Sequence, residues 1–493
     1  MRRKYSLGFI AFLVVMCMAS ISSAEIVSDV VDTVLPFDNL EMAGYFKNET
    51  AMRLSGGMED FMKEKNIVDI KTNYRITDNV DFFAEFKWFY DSVYDIEDRY
   101  EALSFGDTNV KLRQPVKLQW LRECFLDVYT PQLDLRIGKQ QVVWGTTDGV
   151  RILDMVCPLD YREWTIKDYS ETRIPLWMLK VEGELMMNGH LQFLVIPDYE
   201  PNYYGPPGSP FTLRTVQIGD ENIKALTEYG VNVATISEEP PRTFENTKYG
   251  LRWRNVVETG IASGLEYTVN YLNGYDFASS AYTVMQGVVI PGVGFVPTAF
   301  RLTRRAERIN VIGGSFSKSI TKGIMGDFGR GWTVRGELAH IRGGAMNYGT
   351  DTSIQGTVDV SQTNWALGFD KTFMTNWDFS LQYIQLVAEE DGESFDRDRY
   401  TLLFGPTRGP LDKVESIISM RLATDFMHER IQPSVLLLYT DDNDWRISPK
   451  VNFEVNDNWM FTTGIHIFEG TPQHLNGQFD KNDQIFFETT YSW

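Results

Sequence analysis

Polar and apolar side chains alternate along most of this chain, and that two-residue period limits the fold more than any other feature. Between Asp81 and Tyr90 the even-numbered residues are all apolar, whereas Asp81, Glu85 and Lys87 stand on the other face. Successive side chains of a β-strand point to opposite faces, so such a stretch predicts a strand with one apolar face. The pattern recurs at residues 133–138, 248–254, 332–338 and 451–456. It fits a tilted membrane-crossing strand, which needs about 9 to 11 residues.

The connections between these stretches alternate between tight polar turns and long polar segments. Most turns contain Asn, Asp, Gly or Pro, which supply the backbone angles of tight hairpins. Turns lie at 77–79, 130–132, 187–189, 375–376, 427–429 and 456–458, and long segments at 91–118, 145–176, 198–247 and 389–412. Outer-membrane barrels have short periplasmic turns and long external loops, so we expect an all-β, transmembrane antiparallel β-barrel of about 18 strands. A count of about 16 stays open, because the first strand and the link 319–331 show weaker patterns.

Both ends of the chain carry signals typical of an exported barrel. Residues 1–24 combine three basic residues, an apolar stretch at 7–19 and small residues at 22–24, which predicts a cleaved signal peptide. An uncleaved membrane anchor is the alternative. After a short periplasmic segment, 25–39, the barrel would occupy residues 40–493 with long extracellular loops. Its final alternation up to Trp493 resembles the last-strand signal read by the barrel-assembly machinery, so we expect that partner, a bacterial outer-membrane location and surrounding outer-membrane lipids.

Charge and composition exclude several classes of protein. The 47 Lys and Arg residues are outnumbered by 67 Asp and Glu residues, for a net charge of -20, so we expect no nucleic-acid partner. Beyond the N-terminus no apolar run reaches the roughly 18 residues of a membrane helix. We expect no cofactor and no metal, because the acidic clusters at 389–391 and 441–444 lack the spacing of a calcium-binding loop. Whether Cys124 and Cys157 form a disulfide stays open.

The face opposite the apolar one carries charges of both signs and would line a water-filled lumen. These inward residues are Asp81, Glu85, Lys87, Asp134, Arg136, Arg252, Arg254, Arg335, Glu337 and Glu454. They form either a generally solvated wall or a selectivity ring for a charged solute, and the sequence leaves both interpretations open.

The segment 145–176 is the most distinctive connection, because the alternation stops there while apolar residues continue. Those apolar residues are Val150, Ile152, Leu153, Val156 and Leu159. An exposed loop would leave them in water, so we expect the segment to fold into the barrel mouth and narrow it; packing on top of the barrel is the alternative. The inward fold would bring one set of charged residues near the solute path, beside wall residues. The candidate pore residues are therefore Arg151, Asp154, Asp160, Arg162 and Arg173 of the segment, and Arg136, Arg252, Arg254, Arg335 and Glu337 of the wall.

Several stretches in this region resemble a known family. Residues 138–145 read Gly-Lys-Gln-Gln-Val-Val-Trp-Gly, residues 156–160 read Val-Cys-Pro-Leu-Asp, and residues 173–177 read Arg-Ile-Pro-Leu-Trp. With the Pro-rich stretch 201–211, they resemble the domain-of-unknown-function 1302 family of bacterial outer-membrane β-barrel proteins, although Cys157 stands where Asn is expected. The resemblance implies a barrel and suggests passage of hydrophobic or poorly soluble compounds. It supplies no established substrate or binding residue.

These observations together predict an outer-membrane channel for passive uptake or efflux of a small solute. The family resemblance points to a hydrophobic solute and the charged wall to an ionic one, so its polarity stays open. The alternative is a barrel that sheathes a periplasmic or lipoprotein partner, and a homo-oligomer also stays open. We do not expect an enzyme, because the chain has only 5 His and neither a Gly-x-Ser-x-Gly elbow nor a Gly-x-x-x-x-Gly-Lys-Ser/Thr loop.

Overall fold

Long β-strands dominate the computed structural model of the chain. The structure describes residues 39–55, 60–97, 120–185, 189–321, 330–350, 353–390, 414–472 and 474–493. The strands of its main sheet are β1 (Leu40–Arg53), β2 (Phe61–Thr77), β3 (Val80–Asp91), β4 (Leu121–Tyr129), β5 (Asp134–Gln140), β6 (Leu176–Leu185), β7 (Gly189–Ile196), β8 (Lys248–Val256), β9 (Leu265–Tyr275), β10 (Arg308–Ser319), β11 (Trp332–Thr350), β12 (Ser353–Phe373), β13 (Trp377–Glu390), β14 (Val414–Ala423), β15 (Ile431–Thr440), β16 (Asp444–Glu454), β17 (Trp459–Glu469) and β18 (Gln484–Ser492).

These 18 strands form one closed antiparallel sheet. Each strand pairs with the next in chain order, and β18 returns to β1, where Phe46 lies opposite Tyr491. At this seam the backbones of Gly44 and Trp493 exchange hydrogen bonds of 3.0 and 3.3 Å. Closure pairs both edges of every strand, as a sheet in a lipid bilayer requires. The predicted barrel and its count of 18 strands are therefore confirmed.

The two-residue period separates an apolar outer face from a polar inner face. On β3, Trp88 and Tyr90 project outward and are each 45% exposed, whereas Glu85 on the inner face is 5% exposed. On β11 the same alternation exposes Leu338 and buries Glu337. Large apolar side chains that stand outside such a barrel are those that lipid would cover. Within the described ranges, no helix is both long and apolar enough to span a membrane.

The two ends of the barrel differ in the length of their connections. One end, the turn end, carries links at 78–79, 130–133, 186–188, 257–264, 320–331, 374–376, 424–430 and 455–458. The other, the loop end, carries most of the long links, at 54–60, 92–120, 141–175, 197–247, 276–307, 391–413 and 470–483. Two loop-end links, 351–352 and 441–443, are short, so the alternation is less regular than the sequence suggests. At the link 351–352 the adjoining strands β11 and β12 are long, with 19 and 21 residues, and they occupy the place where a long loop was expected.

The loop end also carries secondary structure outside the barrel sheet. A helix, Arg214–Glu228, lies in the link between β7 and β8. A three-stranded sheet combines Asn232–Glu238, Ser280–Ile290 and Gly294–Arg305. A buried aromatic cluster joins loop-end links to the barrel; its members include Trp164, Phe211, Phe468, Phe479 and Phe486.

Some expectations concern residues outside the described ranges. The predicted signal peptide, 1–24, lies there, as do nearly all of the predicted periplasmic segment 25–39 and most of the loops 91–118 and 389–412. Cys124 and Cys157 are described, and both are free thiols. The two cysteines therefore do not form a disulfide in this structure.

Candidate functional site

The link between β5 and β6, residues 141–175, packs against the inner face of the barrel wall and is termed the inserted segment. Its side chains Trp144, Ile152, Leu153 and Val156 are each 1% exposed. They belong to one buried cluster with apolar residues of the inner wall: Leu176, Leu194, Leu272, Ile309, Val311, Ala339, Ile341, Ala366, Ile384, Ile417 and Leu438. Burial of a side chain of this size contributes about 1.5–3 kcal/mol. The apolar residues that interrupt the alternation therefore hold the segment against the wall.

Glu337 on β11 fastens the start of the inserted segment. Its carboxylate accepts hydrogen bonds from the backbone N–H of Thr146, from that of Thr147 at 2.6 Å and from that of Leu153 at 3.3 Å. The carboxylate acts from a residue that is only 5% exposed, and charge-assisted hydrogen bonds are strongest away from water. Glu337 is thus a residue that holds the segment.

Arg335, on the same face of β11, holds the next part of the inserted segment. Its guanidinium donates to the carbonyl of Thr146 and, at 2.6 Å, to the carboxylate of Asp148. The same guanidinium lies 2.8 Å from Asp370 on β12. Gln382 on β13 accepts the backbone N–H of Asp148 at 3.1 Å. Three adjacent strands therefore present a polar row that matches the segment.

Three of the predicted site residues brace the inserted segment from within. Arg173 donates to the carboxylate of Asp154 at 2.7 Å, and that carboxylate also accepts the backbone N–H of Trp144 at 3.3 Å. Arg151 donates to the carbonyl of Cys157. Because Arg173 and Asp154 are both buried, removing either would leave an unpaired charge away from water. These residues set the shape of the segment.

A carboxylate in the second half of the inserted segment binds a group of lysines. Glu163 pairs with Lys63 of β2, with Lys65 of β2 at 2.6 Å and with Lys167 of the segment at 2.9 Å. Burial alone would raise the pKa of Glu163, but the ammonium groups of Lys167, Lys63 and Lys65 lower that pKa well below its usual range. The segment is therefore tied to β2 by a permanently ionised group at neutral pH.

A third attachment lies on β16. Arg446 donates to the carbonyl of Thr165 at 2.8 Å, and the ammonium of Lys450 lies 3.3 Å from the carboxylate of Asp168. Contacts on β2, β11, β13 and β16 mean that the segment meets the wall on several sides.

The remaining predicted site residues divide between the segment and the wall. Within the segment, Arg162 pairs with Asp160 at 2.6 Å; burial would raise the pKa of Asp160, but Arg162 lowers it below the usual range. On the wall, Arg252 donates to the carbonyl of Val143 at 3.2 Å and so contacts the segment.

Two predicted wall residues instead form ion pairs between neighbouring strands. Arg136 of β5 lies 2.6 Å from Asp127 of β4, and Arg254 of β8 lies 2.7 Å from Glu266 of β9. Each pair joins two neighbouring strands of the wall. This arrangement favours the interpretation of a generally solvated wall over that of a selectivity ring for a charged solute.

Sequence reasoning missed Glu163, Gln382 and the two lysines of β2. Lys63 and Lys65 alternate along one face of β2, and this signal marks them as inward residues. Their partner Glu163 gives no such signal, because it lies in a segment without a regular period. The contact appears only when the barrel closes and the segment crosses it.

A comparison with protein families decides where this chain belongs. The sequence pattern of the family described as "Protein of unknown function (DUF1302)" matches residues 65–493. The chain belongs to the DUF1302 family. The match runs from within β2 to the chain end and includes the whole inserted segment, so the predicted family resemblance is confirmed. No curated protein sequence matches this DUF1302 member.

Solved structures similar to this DUF1302 member share little sequence with it. OccK5 (OpdH) of Pseudomonas aeruginosa is 11% identical, with 92% of this chain and 98% of that chain covered and a TM-score of 0.45. OccK3 (OpdO) of the same organism is 7% identical, with 93% and 96% covered and a TM-score of 0.46. OmpF of Salmonella typhi, solved with daunomycin, is 10% identical, with 92% and 98% covered and a TM-score of 0.39. Similarity at these values carries no information about the solute.

Proposed function

We propose that this protein is a channel of the bacterial outer membrane that a small solute crosses passively, through a lumen narrowed by the inserted segment. A closed antiparallel sheet with an apolar outer face supports this membrane location, because a spanning sheet must pair every strand edge. In the proposed orientation, which follows the general rule for outer-membrane barrels, the turn end faces the periplasm and the loop end faces the outside.

The observation that carries the proposal is the path of the inserted segment from one wall to the opposite one. Thr147 of the segment is held by β11, and Glu163 is held by β2. These strands are nine positions apart (11 minus 2) in a sheet of 18, so they face each other across the lumen. A segment fixed at both walls takes up part of the cross-section, and solute must pass beside it.

The alternative function, a sheath around a periplasmic or lipoprotein partner, is less well supported. A partner polypeptide would need the space that the inserted segment takes up. Moving the segment out would expose Ile152, Leu153 and Val156 together with the apolar wall they cover. At about 1.5–3 kcal/mol for each side chain, that exposure opposes the sheath.

The channel is tested by single-channel recording of the purified full-length protein in planar lipid bilayers. Deletion of residues 148–167 is expected to give a larger conductance than the wild type, because the crossing part of the segment is removed. Glu337→Ala is expected to raise the conductance or its fluctuations, because three backbone N–H groups lose their acceptor. The control is Asp457→Ala, which removes an exposed carboxylate in the turn-end link 455–458.

Each part of the proposal has its own contrary result. Folding of every variant is checked by its altered migration on unheated gels. If a folded deletion variant has the same conductance as the wild type, the proposal that the inserted segment narrows the lumen is wrong. If the folded wild-type barrel conducts no ions and passes no small solutes into liposomes, the proposal that it is a channel is wrong.

A further inference from the structure

Cations outnumber carboxylates around a small cavity between the inserted segment and the wall. Its volume is about 80 Å³, and it lies against β2–β5. The wall contributes Lys65, Lys87, Arg122 and Lys139, whereas the carboxylates at the cavity are Asp160 and Glu171 of the segment.

The inserted segment supplies three further cations. These are Arg162, Lys167 and Arg173, which makes seven cationic side chains against two carboxylates. The chain as a whole carries a net charge of -20, so this concentration of cations runs against its composition. Cations gathered in a cleft with poorly solvated walls focus a positive potential there. We call these residues, with the two carboxylates, the basic cavity.

Several carboxylates that pair with these cations do not line the basic cavity. Glu163, which binds three lysines at once, and Asp154, which binds Arg173, both lie outside its lining. The cations of these pairs therefore line the cavity, whereas these acidic partners do not.

The ion pairs of Lys87 and Arg122 are longer than those of Lys65, Arg162, Lys167 and Arg173. Lys87 lies 3.6 Å from Glu171 and 3.9 Å from Asp69, and Arg122 lies 3.6 Å from Glu85. Arg122 also donates to the backbone carbonyls of Ser170 and Glu171, both at a long 3.5 Å. Hydrogen bonds between ions are about 2.7–2.9 Å long, so these contacts leave donors that a ligand can use. An arginine presents its donors as a planar fork that matches a carboxylate.

The rest of the basic cavity is mostly apolar, apart from the hydroxyl-bearing residues Thr172 and Tyr203. Ile67 and Phe89 come from the wall, and Ile174 and Pro175 come from the end of the inserted segment. The Lys65 ammonium lies 4.4 Å from the centre of the Phe89 ring, so charge and apolar surface adjoin. Such a lining suits a molecule with an anionic head and a short apolar body better than an inorganic ion.

We infer that the basic cavity is a binding site for a small organic carboxylate, and that the solute of the channel belongs to this class. The assignment of the solute rests on the proposed channel function, whereas the assignment of the binding site rests on the geometry alone. The cavity exceeds the ~30 Å³ share of one water molecule and is far smaller than the ~300 Å³ of the smallest drug-sized pockets. It therefore accepts the carboxylate and its nearest carbons, and the remainder of the solute extends into the lumen.

The binding site is tested by titration calorimetry of the full-length barrel in detergent, with benzoate, benzamide and inorganic phosphate as probes. Benzoate is expected to bind with saturation. Benzamide has the same shape without the charge and is expected to bind at least about tenfold more weakly, as expected when one charge-assisted contact is lost. Phosphate has the charge without the apolar body and is also expected to bind more weakly than benzoate. Equal binding of benzamide, equal binding of phosphate or no binding of benzoate would each overturn the inference.

Variants locate the binding in the basic cavity. The double change Lys87→Gln and Arg122→Gln is expected to weaken benzoate binding by about tenfold or more, since two loosely held cations are lost. The matched control is Lys224→Gln with Arg305→Gln, which also removes one lysine and one arginine that pair with acids, both outside the cavity. If the control weakens binding as much as the test variant, benzoate is responding to overall charge and the assignment fails.

Recording in bilayers separates this inference from the channel itself. Benzoate is expected to reduce the chloride current in a saturable way, with the same half-saturating concentration as in calorimetry. If the barrel conducts without such block, the channel function stands but the carboxylate is not its solute. If the barrel binds benzoate without conducting, the binding site stands but the channel function does not.

Discussion

Gly145 illustrates how one backbone position controls the docking of the inserted segment. It has a φ of 114°, and a Cβ added to it would lie 3.0 Å from both carboxylate oxygens of Glu337. Backbone angles of this kind cost a residue with a side chain about 1–3 kcal/mol. Glycine therefore allows both the turn after Trp144 and the approach of the next two N–H groups to Glu337.

Gly145→Ala is expected to loosen the inserted segment without unfolding the barrel. A penalty of about 1–3 kcal/mol would raise the fraction of time that the segment is displaced by about 5- to 150-fold. Single-channel recording should detect this as more frequent high-conductance episodes. Gly149→Ala is the control and is expected to have a smaller effect. It also carries backbone strain, at a φ of 79°, but no heavy atom lies within 4 Å of an added Cβ, so it lacks the clash with Glu337. Equal effects of the two changes would contradict the role assigned to the Glu337 contact.

Two carboxylates that are hard to protonate stabilise the inserted segment as an element: Glu163 ties it to β2, and Asp160 pairs with Arg162 within it. The pKa values of Asp160 and Glu163 are lowered, so each carboxylate stabilises the docked state above its unfolded pKa of about 4. This stabilisation is lost only as the pH falls through the folded values, which lie lower still. Conductance is therefore expected to stay constant from about pH 7 to about pH 5 and to rise only in stronger acid.

Glu163→Gln provides the matched change for that pH profile. The variant leaves three lysines without their shared anion, and breaking a buried ion pair from one side costs about 3–5 kcal/mol. Its conductance is expected to be raised already at pH 7 and to depend less on acid. Asp168→Asn is the control, because Asp168 makes a single exposed pair, of a kind worth about 0–1 kcal/mol. A wild-type conductance that increases between pH 7 and pH 5 would contradict this account.

The strands of the wall could be predicted from sequence because each one carries its own signal. Alternation on β3, β8 and β11 reports which residues meet lipid, and tight turns such as 78–79 report where the chain reverses. The three-stranded sheet at the loop end gives no comparable signal. There Asn232–Glu238 pairs in parallel with Gly294–Arg305, and such a pairing depends on how distant links meet.

The candidate site could be predicted only in part, for the same reason. Arg335 and Glu337 are recognisable as inward residues, since they alternate with the apolar residues of β11. Their partners are Asp148 and the backbone of Thr147, which lie far away in the chain and in a segment without a period. Residue type and spacing identify the wall, but the path of the inserted segment follows from packing inside a closed barrel.

At the scale of the whole molecule, charge and apolar surface are sorted by position rather than by composition. The chain is strongly acidic, yet the basic cavity inside it is lined by seven cations. Apolar residues occur both on the outer face and on the inner wall, where they cover the inserted segment. The barrel thus supplies two separate apolar surfaces, one for lipid and one for its own chain.

The same sorting implies a fixed orientation in the membrane, which cysteine labelling can measure. Val289, in the loop-end sheet, is 75% exposed, and Met374, in a turn-end link, is 85% exposed. On intact cells, a membrane-impermeant maleimide is expected to label Val289→Cys strongly, because loop ends face outward. Met374→Cys is expected to react only after the outer membrane is permeabilised.

The background for that measurement is a chain with Cys124→Ser, since Cys124 is partly exposed whereas Cys157 is buried. Val289 and Met374 are both highly exposed in the folded barrel, so a large difference in labelling reports the side of the membrane and not the packing of the residue. If only Met374→Cys is labelled on intact cells, the barrel lies in the membrane in the opposite orientation to the one assigned here. The turn end would then face the outside, and a solute arriving from outside would reach it before the loop-end links. The orientation assigned to the barrel would have to be inverted, whereas the contacts of the inserted segment would stay the same.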